Sequence, residues 1–328
     1  MIHSVIAVLI IALTSTLAIG QLDGATTLQA VEGTPESKAK FPGKPELLRR
    51  IGLYEAAARN ADSSNASPES LVKIYTNLGS LYEDVAMYPK SEDAMRRAIS
   101  LLKTGPQDAL AEEIGHLAVL HDAMGQLREA EKDQMQALRI RESIGDIAGI
   151  ALTWSDVADL YIKRRRYKKA LSYAQRAMDA LGDRPDVSAG DRVAVRQTLA
   201  SALSGTRDYP RAIQLLKDAI ELSKNSFGAD SLEVGLDDYI LGYTYWKSGN
   251  MTDAEDWMGR GIMRMKVDLG WGHAIYVNAI WQYAQFLRQN GQTDAAVSAE
   301  REVRQAQAVV DARTFTDRSG DFRIAASQ

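Results

Sequence analysis

The sequence predicts an all-α solenoid of about six helix hairpins, and three observations carry that expectation. One spacing frame recurs along the 328 residues: a large residue then a small one, an aromatic, His or Leu four on, a turn residue eight on, and small residues thirteen and about twenty on. It starts at Leu78, Leu117, Val157, Leu199, Leu241 and Tyr283, with separations of 39, 40, 42, 42 and 42 residues. A period of that length marks stacked supersecondary units rather than several independent globular domains. The second observation is where the small residues fall. Gly79, Ala118, Ala158, Ala200, Gly242 and Ala284 stand on the first helix of each unit, and Ser91, Ala130, Ala170, Ala212, Ala254 and Ala296 on the second. Small residues at fixed offsets let two backbones approach, while the large ones between them fill the gaps. The third observation is that the chain has only eight prolines, which leaves room for long uninterrupted helices.

Composition narrows the function classes. Hydrophobic residues make up 45% and charged residues 25%, an ordinary balance for a folded soluble body. A formal net charge of −4 argues against bulk attraction to nucleic acid. The chain has no cysteine, so disulfides, thiolate catalysis, iron–sulfur clusters and Cys-type zinc sites are all excluded.

Taken in order, residues 5–19 form a 15-residue stretch, apolar except for Thr14-Ser15-Thr16, and end in Ala18-Ile19-Gly20. A spanning helix needs about 18 or more apolar residues, so residues 1–20 read as a signal peptide or an N-terminal anchor. Either reading places the body outside the cytoplasm, periplasmic or extracellular. Residues 21–45 mix Gly, Thr, Pro, Lys and Glu without helical periodicity and read as a flexible linker. From Glu46, an apolar stripe of Leu47, Leu48, Ile51, Tyr54 and Ala58 predicts a helix that caps the open end of the array. The solenoid then runs to residue 313.

The turn signals differ between hairpins. Gly125, Gly249 and Gly291 stand where the first helix should end in a left-handed residue. Arg165 and Arg207 stand there in the third and fourth hairpins, so Gly does not meet that preference. Later links, 225–231 and 268–273, are polar and contain Gly. Glu300 and Arg304 make the last helix polar outside, as a terminal cap requires. Residues 314–328 lose periodicity and read as a disordered tail.

The recurring large–small–aromatic helix, followed by two small positions on a partner helix, resembles the tetratricopeptide repeat from about Leu71 to Val310. The period is longer than the family's usual 34 residues, and its Pro after the second helix is absent. With Phe227-Gly228 and Ser231 in the link, the 42-residue form looks more like the extended repeats of kinesin light chains. The resemblance implies a right-handed superhelix whose first helices line a concave groove for a protein or peptide.

Carried onto this sequence, the family's groove positions are polar at first, with Gln197, Thr198 and Ser201 in the fourth hairpin. They become aromatic and amide-rich at the end. The expected partner-binding groove is Tyr239, Tyr243, Trp246, Asn278, Trp281, Gln282 and Gln285, because Tyr and Trp bind at low entropic cost and amides pair with an extended backbone. Packing of these aromatics between repeats is the alternative. The Lys/Asn clamp that some members place on C-terminal carboxylates is missing, with Thr76, Ser80, Gln197 and Ser201 in its place.

One charge run stands apart: Lys163, Arg164, Arg165 and Arg166, then Lys168 and Lys169, around Tyr167. It reads as an anion patch for lipid heads or a phosphorylated surface, or as a solvated turn whose cations favour a helix C-terminus. The four histidines lack metal-ligand spacing, and no phosphate loop or nucleophile elbow is present. No catalytic, metal or cofactor site is therefore expected. The functional expectation is a non-enzymatic scaffold, exported or membrane-tethered, that binds a protein or peptide in its groove. The alternative is a structural or regulatory subunit that docks on an envelope complex, or self-associates, through its edges.

Overall fold

The computed structural model describes residues 44–63, 66–181, 184, 187–270 and 273–307. The expected signal or anchor, nearly all of the linker, the tail, and Trp271 with Gly272 in the last link lie outside the described residues. Helix α1 (Lys44–Ser63) precedes three hairpins: α2 (Pro68–Asp84) with α3 (Tyr88–Leu102), α4 (Gln107–Ala123) with α5 (Leu127–Ile144), and α6 (Ile147–Lys163) with α7 (Tyr167–Leu181). Three more follow: α8 (Ala189–Gly205) with α9 (Tyr209–Phe227), α10 (Leu232–Ser248) with α11 (Met251–Leu269), and α12 (Ala274–Gln289) with α13, residues 293–307. No strand occurs among the described residues. The fold is the all-α hairpin array that the period predicts.

The described residues form two compact units. The N-terminal unit holds residues 44–160 with 179–181, and the C-terminal unit holds Tyr161–Met178 with residues 184–307. In the N-terminal unit, Ile51, Tyr54, Ala58 and Ala61 of α1 join one buried cluster with Ile74, Leu78 and Tyr82 of α2 and Ala94 and Ala98 of α3. Tyr82 completes the contact by donating its hydroxyl to Glu55 of α1 at 2.6 Å.

Each hairpin turns in the same way. The residue eight after the frame start has positive φ in all six: Ala86 (60°), Gly125 (74°), Arg165 (57°), Arg207 (69°), Gly249 (90°) and Gly291 (78°). The next residue's N–H then reaches back to the carbonyl five residues earlier, as in Met87 to Tyr82 (2.7 Å), Arg166 to Tyr161 (2.8 Å) and Asn250 to Tyr245 (3.0 Å). This left-handed closure satisfies carbonyls that the end of a helix would otherwise leave open. Arg165 and Arg207 adopt it without being Gly, at a cost of roughly 1–2 kcal/mol each for the left-handed backbone. Ser67, Ser188, Ser231 and Asn250 each accept an N–H at the start of the following helix. Ser231 caps α10 directly after the Phe227-Gly228 link.

The turn sets how closely the paired helices approach. A Cβ on Gly242 would lie 2.4 Å from the Met258 backbone nitrogen and 3.0 Å from the Trp257 carbonyl carbon, so α10 and α11 touch backbone to backbone. A Cβ on Gly79 would instead meet the flexible Met95 side chain at 2.9 Å. Ser91 uses its position differently, donating its hydroxyl to the Gly79 carbonyl at 2.8 Å.

The C-terminal unit also carries a buried polar bolt. Asp237 of α10 is fully buried, accepting from Gln197 of α8 and, at 2.5 Å, from the Ser223 hydroxyl of α9. Gln197 and Thr198, expected in the groove, are both buried, and Gln197 is spent on this contact. Burial is the main cause that pushes the Asp237 carboxyl up to about 7, against the two hydrogen bonds, with Asp238 and Glu233 adding to the rise.

Two predictions follow from this packing. Gly242→Ala loses about 1–3 kcal/mol by overpacking against immovable backbone, whereas Gly79→Ala stays near neutral because Met95 yields and Ala favours helix. Urea unfolding of the two variants, read by circular dichroism, measures the difference. For Asp237 the native proton affinity exceeds the unfolded one. Its contribution is therefore fully present below pH about 4 and is lost as pH rises through about 7. Asp237→Asn stays neutral and keeps acceptance from Gln197, while the Ser223 hydroxyl can turn to accept. The fall in unfolding free energy between pH 5 and pH 8 is therefore shallower in the variant than in wild type. A residual slope stays, because Glu83 is raised to about 7 and Asp84 to about 6, both mainly by desolvation.

Candidate functional site

The expected groove residues divide into two groups. Tyr239 is 3% exposed, and its hydroxyl donates to the Ala279 carbonyl of α12 at 3.3 Å. A Cβ on Gly261 of α11 would meet the Tyr239 Cβ and nitrogen, both at 2.7 Å. Tyr239 thus fills the wedge between α10, α11 and α12, and is a packing residue rather than a groove residue. The family's groove offset failed here because Gly261 brings α11 against that face of α10. Burial raises the Tyr239 hydroxyl's proton affinity well above the usual tyrosine range.

Tyr243 and Trp246, one helical turn apart on α10, are half-buried and meet edge to face at 5.6 Å. Trp246 is held from α12: its ring lies 5.8 Å from Phe286, and its indole N–H donates to Gln289 at 2.8 Å. Phe286 is fully buried and stacks on Tyr283 at 5.8 Å. The Lys247 ammonium sits 4.1 Å from the Trp246 ring centroid and 4.9 Å from that of Tyr243, where desolvation lowers its proton affinity. The sequence placed the aromatic pair but missed Lys247, Phe286 and Gln289, which hold it. The available signal was Lys247's adjacency to Trp246.

On α12, Asn278, Trp281, Gln282 and Gln285 follow the i, i+3, i+4, i+7 spacing of one helix face. Trp281 is 49% exposed, a large apolar ring left in solvent, and the three amides are half-buried. None of these amide side chains hydrogen-bonds within the described residues, and the Tyr243 hydroxyl likewise has no partner there. Burial, followed by Tyr167, raises the Tyr243 hydroxyl, and Arg165 opposes the rise. This face offers donors, acceptors and a ring that the fold itself does not use.

In the charge run, Arg165, Arg166, Lys168 and Lys169 are exposed and Lys163 and Arg164 half-buried. Lys169 and Arg164 lie 5.4 and 6.0 Å from the Tyr161 ring centroid, and Tyr161 stacks on Tyr173 at 5.6 Å.

The described histidines, His116, His121 and His273, have structural partners. His121 is buried, with Nδ1 2.7 Å from Asp133 of α5 and Nε2 3.6 Å from Glu92 of α3. His116 lies 3.7 Å from Glu113. Burial disfavours its charge, but Glu113, Glu112 and Glu83 together raise its proton affinity. His273 caps α12 by accepting the Ile275 N–H at 3.3 Å. Among the described residues, no group of three or more His, Asp or Glu is placed to hold a metal, and no helix is long and apolar enough to cross a membrane.

Residues 109–183 and 149–225 match the tetratricopeptide repeat family model. No curated protein matches the sequence. Among solved structures, the apo form of RapI is similar over 81% of this chain and 93% of its own, with TM-score 0.67 and 13% identity. A Rap protein complexed with Competence and Sporulation Factor covers 81% and 73%, with TM-score 0.60 and 14% identity. BtubC (BKLC) from P. vanneervenii covers 68% and 92%, with TM-score 0.57 and 20% identity. Identities this low speak for the fold alone. Over residues 109–225 the chain carries tetratricopeptide repeats, within an all-helical repeat fold.

Proposed function

We propose that this protein is a non-enzymatic scaffold that binds an extended protein segment on the α10–α12 face of its C-terminal unit. One observation carries the reading: Asn278, Gln282 and Gln285 leave their amides unused beside the exposed Trp281. An extended peptide presents a free carbonyl and N–H at every residue, and a row of amides on one helix can pair with them. Trp281 and the Tyr243–Trp246 pair supply rigid apolar area at low entropic cost. The Rap protein complexed with Competence and Sporulation Factor supports the reading, as a protein of similar fold that holds a bound factor. Tyr239 has no part in this binding. Residues 5–19 would export the scaffold, so the bound segment would belong to a periplasmic or extracellular partner.

The test is a random-peptide display selection against the immobilised protein, followed by titration of the selected peptides. Trp281→Ala/Gln285→Ala should weaken binding by at least about tenfold, since each lost anchor costs about 1 kcal/mol or more, with an unchanged circular dichroism spectrum. Tyr239→Phe, which removes only the hydroxyl, should bind as wild type does. Equal binding by wild type and the double variant would overturn the assignment.

A further inference from the structure

The turn edge of the C-terminal unit gathers charge that the groove reading leaves unused. Gly205 ends α8 against the Tyr167 ring, which a Cβ there would meet at 2.1 Å. Tyr167 and Arg165 in turn act electrostatically on Tyr243 near the end of α10. The turns 163–168 and 205–209 therefore meet at Tyr167, and Lys247 stands at the next turn, one helical turn beyond Tyr243. Their cations include Arg165, Arg166, Lys168, Arg207 and Lys247, all exposed. Among the described residues, none of these five makes an ion pair. Asp208, in the second of these turns, is engaged by Arg211 at 3.3 Å. Lys247 is the most telling, because it rests on two aromatic rings with no anion to offset its desolvation. Arg165 and Arg207 also occupy left-handed positions that Gly fills at lower cost in three other turns. Ala86 at the same place in the first hairpin shows that the backbone tolerates a side chain, so the argument rests on the charge and the rings.

We infer that this edge is a second binding site, for an acidic extended peptide segment of a partner protein. Cations from successive turns flank aromatic rings, which suits a chain with carboxylates at intervals and apolar groups between them. An anionic membrane fits less well. The whole chain carries a formal net charge of −4, which an extended anionic sheet would repel. A peptide touches only the strip.

The test uses the full chain and fluorescence anisotropy with a labelled peptide of alternating glutamate and alanine, and its lysine–alanine analogue as control. The glutamate peptide should bind at low ionic strength, weaken as salt rises, and outcompete the lysine peptide. Arg165→Gly/Arg207→Gly suits the left-handed turns, so folding is retained while two cations are lost. It should weaken binding by about tenfold, a loss of about 1.4 kcal/mol. Lys217→Ala, an exposed cation on α9, should not change it, and Trp281→Ala/Gln285→Ala should leave it intact even if the groove assignment fails. Absence of glutamate-peptide binding, or an equal loss in Lys217→Ala, would overturn the inference. So would binding of phosphatidylserine vesicles by a protein that ignores the peptide.

Discussion

The left-handed turn residue eight positions after each frame start is the constraint on which the rest depends. It ends the first helix, lets the next N–H close on the carbonyl five residues back, and sends the chain into the second helix at a fixed angle. Only then do the paired small residues face each other, as Gly242 faces the Met258 backbone. A change of turn geometry would bring large residues to the contact points in place of small ones. Ala86, Arg165 and Arg207 adopt the conformation without Gly, so packing, and not local preference alone, enforces it.

This geometry also explains where chemistry is free to sit. The contact between paired helices consumes small residues, and the wedges between hairpins consume large ones. Tyr239 fills one such wedge and bonds to Ala279, while Asp237 bolts α8, α9 and α10 through Gln197 and Ser223. What the fold leaves unused is the α12 face with its unpaired amides and exposed Trp281, the half-open Tyr243–Trp246 pair, and the cations on the turn edge.

The architecture was legible in the sequence because a period with small residues at fixed offsets has one simple packing solution. The turns at Gly125, Gly249 and Gly291 were equally readable, because Gly favours the left-handed residue that ends a helix. The placement of the candidate site's residues was legible only in part. Trp281, Gln282 and Gln285 follow a single helix's periodicity, which sequence contains. Tyr239 and Gln197 depend on what a neighbouring helix does, and the close approach of Gly261 and the buried carboxylate of Asp237 decide them. A spacing rule within one helix cannot carry that information. The supporting roles of Phe286 and Gln289 were hidden for the same reason, since each reaches Trp246 across a helix boundary, whereas Lys247 acts within α10.

The central claim is that α12 presents side chains the fold has left unused, and indole N–H spectra of tryptophan-labelled protein test it most directly. A selected peptide is titrated in, with Trp281 and Trp246 assigned by substitution to Phe. The account predicts that the Trp281 resonance shifts most, that Trp246 follows through its contacts, and that Trp154 in the N-terminal unit stays still. A shift at Trp154 with Trp281 unmoved would place binding elsewhere and contradict the account.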